Sequence, residues 1–383
     1  MPGSDALSSA RVGVYCVIAM AANNITLKDI AQATGYSLIS IHRAIHNKDG
    51  LSEETRTKIL EAVKAMGYEV NFAASALKRN PIRVAYIGEA ARSAGEYHAC
   101  MLEGVHTAFD EFAGLNCSCD DLVVPYGHGA AAAECKVLDK LYDDPHPYDG
   151  IVVLPANTGS ELEYRLGKLI AKGIPVVLVD ERIPQLDSLC CISPRSDLIG
   201  RLGAEYLCKV CDPGLIIIAM GDTTSKTHQE NVRGFSSYIE ENRLPFTTLV
   251  VDDPYDEPLL EQRLEQALLA HPETVAFYSV REKNCQAITR VALRHPERKT
   301  EVLVTELCPE NVSNLERGLV SGIIDKNPFQ RGYLGMHLLF EYLLKKEMPK
   351  AKVLSVPVSI VLRSNLPFYV GRMGPGIYVS SSV

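Results

Sequence analysis

Gly127-His128-Gly129-Ala130-Ala131-Ala132 follows the apolar run Leu-Val-Val-Pro-Tyr and opens a helical stretch. Glycines at this spacing let a backbone approach a pyrophosphate and seat it on a helix N-terminus, so the segment has the form of a dinucleotide fingerprint. Such a site also needs an acid about 20 residues on, at the far end of the next strand. Here Asp149 precedes that strand and its far end reads Pro155-Ala156-Asn157. The run before the glycines is also the second of its series, where a dinucleotide site uses the first. Cys208 and Cys211 form a Cys-x-x-Cys pair late in a helical stretch, with no second Cys or His pair to complete a zinc site. They read as small buried thiols. Walker A, G-x-S-x-G and H-E-x-x-H patterns do not occur. No catalytic residue, metal site or cofactor is assigned.

A chain of 383 residues, 46% apolar and 22% charged, is long enough for two or three domains with sizeable cores. No apolar run approaches the roughly 20 residues that span a bilayer, so no membrane partner is expected. Eleven scattered cysteines point to reduced thiols and a cytoplasmic location. The stretch Val12–Ala22 has the apolarity of a signal core but lacks a basic flank, and Met20 reads as the natural start. The net charge is −8, which argues against a nucleic-acid partner until it is divided. Residues 24–80 carry eight Lys and Arg against six Asp and Glu, net +2, whereas residues 81–383 carry 30 against 40, net −10.

The basic front segment contains three short helices. Thr26-Leu27-Lys28-Asp29 is a capping box, and Leu27, Ile30 and Ala31 follow at helical spacing. Thr34-Gly35-Tyr36 breaks the pattern, and Ser37 caps a second helix with Ile41, Ala44 and Ile45 on one face. Ser52-Glu53-Glu54 opens a third, which Gly67 stops. Two helices joined by a three-residue turn containing Gly are the helix-turn-helix layout. Spacing alone leaves a second reading open, in which Leu38 joins Ile41 and Ile45 in the core.

The strings TLKDIAQATGYSLISIHRAIHN and LSEETRTKILEAVKAMGYEVNFAASAL resemble the lactose-repressor (LacI/GalR) family of transcription regulators. The resemblance implies that Leu38 and Ile39 read bases in the major groove, and that Thr26, Ser37, Ser40, Arg43 and Asn47 complete the DNA contacts. It also implies a hinge helix at about residues 71–79, carrying Asn71, Ala74 and Leu77, with Leu77 as the minor-groove wedge. His42 stands where the family usually has Ser. Both reader positions are apolar, which favours contact with thymine methyls over a bidentate hydrogen-bond code.

From residue 82 onward, short apolar runs alternate with helices of 10–18 residues, and the series restarts at Gly214-Leu215-Ile216. That pattern calls for two doubly wound lobes with a ligand at the strand carboxyl ends between them. The fold class expected is a small all-α helix-turn-helix domain followed by an α/β two-lobed, doubly wound domain. The stretches PVVLVDERI, SDLIGRLGAEYL, NVRGF and IIDKNPFQRGY make the body similar to type I periplasmic sugar-binding proteins, the effector domain of the same family. The resemblance implies three crossings between lobes, near Ser193, Asp325 and Ala351. The expected organisation is an extension at 1–23, helix-turn-helix at 24–70, hinge at 71–81 and effector domain at 82–383. Lobe 1 would hold 82–193 and 326–350, and lobe 2 would hold 194–325 and 351–365.

Polar residues at the interlobe strand ends are the effector candidates: Asp180, Arg182, Asn231, Arg281, Asp325 and Lys326, with His98 as a further residue able to reach the cleft. The resemblance implies a sugar or an anionic sugar derivative as effector; the family usually supplies an acid near Arg281 and an amide near Lys326, and two cations in their place suit an anionic ligand, such as a phosphosugar or sugar acid, better than a neutral sugar. Asp180 and Asp325 lie close enough in sequence to neutralise Arg182 and Lys326 internally. The whole reads as a homodimeric transcription regulator, a repressor, that binds a pseudo-palindromic double-stranded DNA operator under control of a small effector, and not as an enzyme. A sugar-binding or transport component is one alternative, disfavoured by the helix-turn-helix. A cytosolic doubly wound enzyme is the other, supported only by the incomplete fingerprint at Gly127.

Overall fold

The computed structural model describes residues 25–45, 49–67, 80–93, 95–127, 129–156, 158–221, 223–252 and 256–369. It forms two compact units, Met1–Phe72 and Ala73–Val383. The expected DNA contacts at Asn47, Asn71, Ala74 and Leu77 lie outside the described residues, as does the expected extension.

In the first unit, α1 (Leu27–Thr34), α2 (Leu38–Ile45) and α3 (Glu53–Ala65) enclose a core of Ile30, Ile41, Ala44 and Ile59. Local chemistry fixes the ends. The Thr26 hydroxyl accepts from the Asp29 amide at 3.4 Å while the Asp29 carboxylate accepts from the Thr26 amide at 2.7 Å. Gly35 ends α1 with φ +74° and donates its N–H to the Ala31 carbonyl, a cap that a residue with a Cβ adopts only under strain. Ser37 accepts from the Ser40 amide at 3.0 Å and starts α2.

The second unit is built on two six-stranded sheets. The strands of the first sheet are β1 (Ile82–Glu89), β2 (Cys117–Val124), β3 (Gly150–Val153), β4 (Val176–Val179) and β5 (Cys190–Ser193), closed by the late β11 (Val353–Ser355); all neighbours are parallel, in the order β11-β5-β4-β3-β1-β2. The second contains β6 (Leu215–Ala219), β7 (Thr247–Val251), β8 (Thr274–Ser279), β9 (Glu301–Thr305), β10 (Gly322–Asp325) and β12 (Ser359–Val361), in the order β12-β10-β9-β8-β6-β7, with only β12 antiparallel. Helices cover both faces, and the central strands are apolar along their whole length because both of their faces are buried. The chain crosses between lobes after β5, after β10 and again after β11. The third crossing falls beyond Ser355 rather than near Ala351, because Val353–Ser355 first pairs with Cys191–Ser193.

The same device positions the key helix in each lobe. In lobe 1, α4 (Tyr97–Asp110) crosses α12 (Pro328–Lys345) where a Cβ at Gly104 would overlap the Phe329 carbonyl oxygen. In lobe 2, α7 (Ser196–Val210) crosses α8 (Lys226–Glu241) where a Cβ at Gly200 would overlap the Asn231 carbonyl oxygen. Backbone therefore packs on backbone, which fixes the second turn of α8 against α7 and the first turn of α12 against α4.

Candidate functional site

In the first unit, α2 turns Ile41 and Ala44 into the core and leaves Leu38 43% and Ile39 66% exposed. His42 and Arg43 are exposed with them, one turn on along the same face. Leu38 is not part of the core, so the alternative reading of that residue does not hold. The Arg43 guanidinium lies over Gly50, while its carbonyl accepts from Arg56 Nη1 at 3.2 Å. Thr26 and Ser37 are exposed and Ser40 is half-buried; all three are engaged in capping. Two exposed apolar side chains flanked by basic ones suit a surface that meets thymine methyls between phosphates.

In the second unit, a cavity of about 170 Å³ lies between the lobes at the carboxyl ends of the strands. Glu89 ends β1, Ala156 follows β3, Asp180 follows β4, Arg281 follows β8 and Glu306 follows β9; all line it. This is where doubly wound sheets place ligands. Of the residues nominated from sequence, Asp180, Asn231, Arg281 and Lys326 line the cavity, as does His98. Arg182 does not: it is exposed, between Glu181, which lines the cavity, and the buried Ile183. Asp325 does not either; it borders a second pocket and accepts from the Asn327 amide at 2.9 Å.

The charges pair differently from the expectation based on sequence proximity. Asp180 holds Arg331, which is 1% exposed, and accepts from the Tyr97 hydroxyl; Arg331 Nη1 also donates to the Tyr97 oxygen at 3.1 Å. Burial disfavours the Arg331 charge, but Asp180, Tyr97 and Glu306 together outweigh it and raise that pKa. Lys326 meets the Glu306 carboxylate at 3.2 Å. Burial pushes Glu306 up to about 7 against the pull of Lys326 and Arg331. Lys283 pairs with Glu96 at 2.8 Å, and although burial opposes the charge, the Lys283, Ser93 and Arg92 contacts hold Glu96 at about 2. Arg281, lowered to about 10 by burial, donates to the Tyr126 hydroxyl. Burial also lowers His98, to about 4, so its imidazole is neutral near pH 7 and stands edge-on to Tyr97 and Tyr126. The Asn231 side-chain oxygen accepts from the Tyr278 hydroxyl at 2.9 Å.

Sequence reading missed Arg331, Tyr97, Tyr126, Glu181, Lys283 and Glu306 in this cleft. Arg331 stood inside the quoted stretch IIDKNPFQRGY and Glu181 inside PVVLVDERI, so the signal was present but was assigned to neighbouring residues. The Gly127 loop gives a physical reason to set its fingerprint aside. Its amide donates to the Glu89 carboxylate at 3.0 Å, an acid where a pyrophosphate would need donors, and β2 is the sheet's edge strand. Burial pushes Cys208 up to about 11 and Cys211 up to about 12. Among the described residues no helix is long and apolar enough to cross a membrane.

Comparison with known proteins places both units. Residues 90–347 match the periplasmic binding protein domain, and residues 26–71 match the bacterial regulatory proteins of the lacI family. The HTH-type transcriptional regulator PtxS of Pseudomonas plecoglossicida is 29% identical over 203 residues, 51% of this chain and about half, 52%, of that regulator. The protein named "Probable HTH-type transcriptional repressor ExuR" of Bacillus subtilis is 26% identical over 265 residues, 67% of this chain and 73% of that protein. A solute-binding protein from Burkholderia graminis, solved in complex with D-arabinose, shares the fold at TM-score 0.67 and 19% identity, covering 75% of this chain and 97% of that one. The chain therefore belongs to the periplasmic binding protein domain family over its two-lobed body, carries ahead of it a helix-turn-helix that matches the lacI family of bacterial regulatory proteins, and spans about half the length of the first of these regulators.

Proposed function

We propose that the protein acts in the cytoplasm as a homodimeric repressor of a pseudo-palindromic DNA operator, with its affinity set by a small carbohydrate-like effector in the interlobe cavity. The observation that carries the DNA half is the exposure of Leu38 and Ile39 beside Arg43 on α2, opposite the core. The domain organisation proposed is the one read from sequence: helix-turn-helix at 24–70, hinge at 71–81 and the effector domain from 82 onward, with the third crossing moved beyond Ser355.

The cavity supports the effector half. Asn231, Thr158, Tyr97 and Tyr126 offer hydroxyl and amide groups, and His98 with the two tyrosines offers ring edges and faces. Asp180, Glu306 and Glu96 answer Arg331, Lys326 and Lys283 from within the fold, and Glu89 is the acid whose charge favours that of Arg281. That pairing supplies internally the negative charge which the sequence led us to seek in a ligand, so the reading narrows to a neutral polyol of sugar size. Gel shifts with genomic fragments test the DNA half. Thermal-shift screening of sugars beside their acid and phosphate forms tests the effector half: ligand at 100 times its Kd stabilises by about 2.7 kcal/mol. Preference for the charged forms would overturn the neutral assignment.

A further inference from the structure

The cleft is bridged by side chains of the protein itself. Glu181 leaves lobe 1 just after β4, and its carboxylate meets the N-terminus of α8 in lobe 2. One oxygen accepts from the Ser225 hydroxyl at 2.7 Å, the Thr227 hydroxyl at 3.1 Å and the Thr227 amide at 3.3 Å; the other accepts from Thr158 of its own lobe at 2.9 Å. Ser225 is the N-cap of α8, a 16-residue helix, so the carboxylate sits on the positive end of a helix dipole, where it takes the Thr227 amide. The lobes meet again at a second contact. The Tyr97 amide of lobe 1 donates to the Glu282 carboxylate of lobe 2 at 3.0 Å, beside the Glu96–Lys283 ion pair.

We propose that Glu181 is a built-in latch: by occupying the α8 N-terminus it holds the two lobes closed when no ligand is bound, so the resting open–closed balance of the sensor is set by this residue. This goes beyond the assignment of the cleft as a ligand site and holds whatever that ligand is. The energetics favour the role. A carboxylate shared by two hydroxyls and an amide makes charge-assisted hydrogen bonds, which are stronger than neutral ones, and partial exclusion from water raises their worth. A carboxylate in that position also repels an anionic ligand group from the same end of the cavity. The latch therefore sets both the cost of opening and the charge admitted.

Hydrogen–deuterium exchange on the full ligand-free chain tests this, with the Tyr97 amide as readout because it bonds Glu282 of the other lobe and makes no bond to Glu181 itself. Glu181→Ala should speed exchange there by about tenfold or more, the factor carried by loss of one charge-assisted hydrogen bond. Acetate, a free carboxylate able to refill the vacated place, should restore protection in the variant and leave the wild type unchanged. Ser225→Ala with Thr227→Val removes the same hydroxyls from the other lobe and should reproduce the effect if Glu181→Ala folds poorly. Unchanged Tyr97 exchange in a folded variant, or acetate acting equally on wild type, overturns the latch.

Discussion

The Arg331 guanidinium, 1% exposed, is held in place by the Asp180 carboxylate from 151 residues away in the chain, at the point where β4 ends and α12 begins its second turn. A charge that deep is tolerable only with its partner, because removing one member strands the other in low dielectric. Asp180→Asn should cost about 3 to 5 kcal/mol, while Asp180→Asn combined with Arg331→Met should recover most of that loss. Denaturant unfolding of the single and double variants checks this; equal destabilisation would mean the pair is not the source.

Gly200 admits the Asn231 carbonyl against its backbone, and that approach seats Asn231 at the cleft. Gly200→Ala should cost about 1 to 3 kcal/mol by forcing α7 and α8 apart. It should also weaken effector binding, since Asn231 moves with its helix. Thermal unfolding and ligand titration on the same variant measure the two effects, and an unchanged melting temperature would refute the packing argument.

Glu134, on the helix Ala130–Asp143, is fully buried beneath the cavity, where its carboxylate accepts from the Ala156 amide at 3.0 Å. Burial pushes it up to about 8 from an ordinary value of 4.5, against the pull of that amide. The folded state therefore resists ionisation more than the unfolded chain does. The penalty is absent below 4.5, grows between 4.5 and about 8, and is complete above. Stability should fall across that window by an amount on the order of 5 kcal/mol at most, and Glu134→Gln should flatten the decline. Stability curves from pH 4 to 9 compare the two; parallel curves would contradict the assignment.

Much of the fold was legible in the sequence because its signals are local. The Thr26–Asp29 box, the Gly35 stop and the Ser37 cap act within four residues, and the buried strands announce themselves as continuous apolar runs. The third crossing was misplaced by a few residues because β11 is three residues long and too short to show a period. The cleft was half legible. Strand ends were found, but the partners across it come from distant segments, so Asp180 suggested its neighbour Arg182 when geometry gives it Arg331. The positive φ at Asp180 and the exposure of Arg182 leave no mark in the sequence.

Coupling between the two units makes a reciprocal prediction. An effector that lowers operator affinity by some factor must itself bind the operator complex more weakly by the same factor. Titrating effector into free protein and into the protein–operator complex checks it; identical effector affinities in the two would show that the cleft does not control DNA binding.

Operator binding by Leu38→Ala/Ile39→Ala tests the central claim most directly, since both side chains project from α2 outside the core. The measurement is the dissociation constant for a genomic fragment selected by the wild type, beside one for unrelated DNA at the same salt concentration. The account predicts a specific affinity weakened by about 1 to 3 kcal/mol for each base step lost, non-specific binding unchanged and helical content preserved. Equal affinity of mutant and wild type for the selected fragment would contradict it.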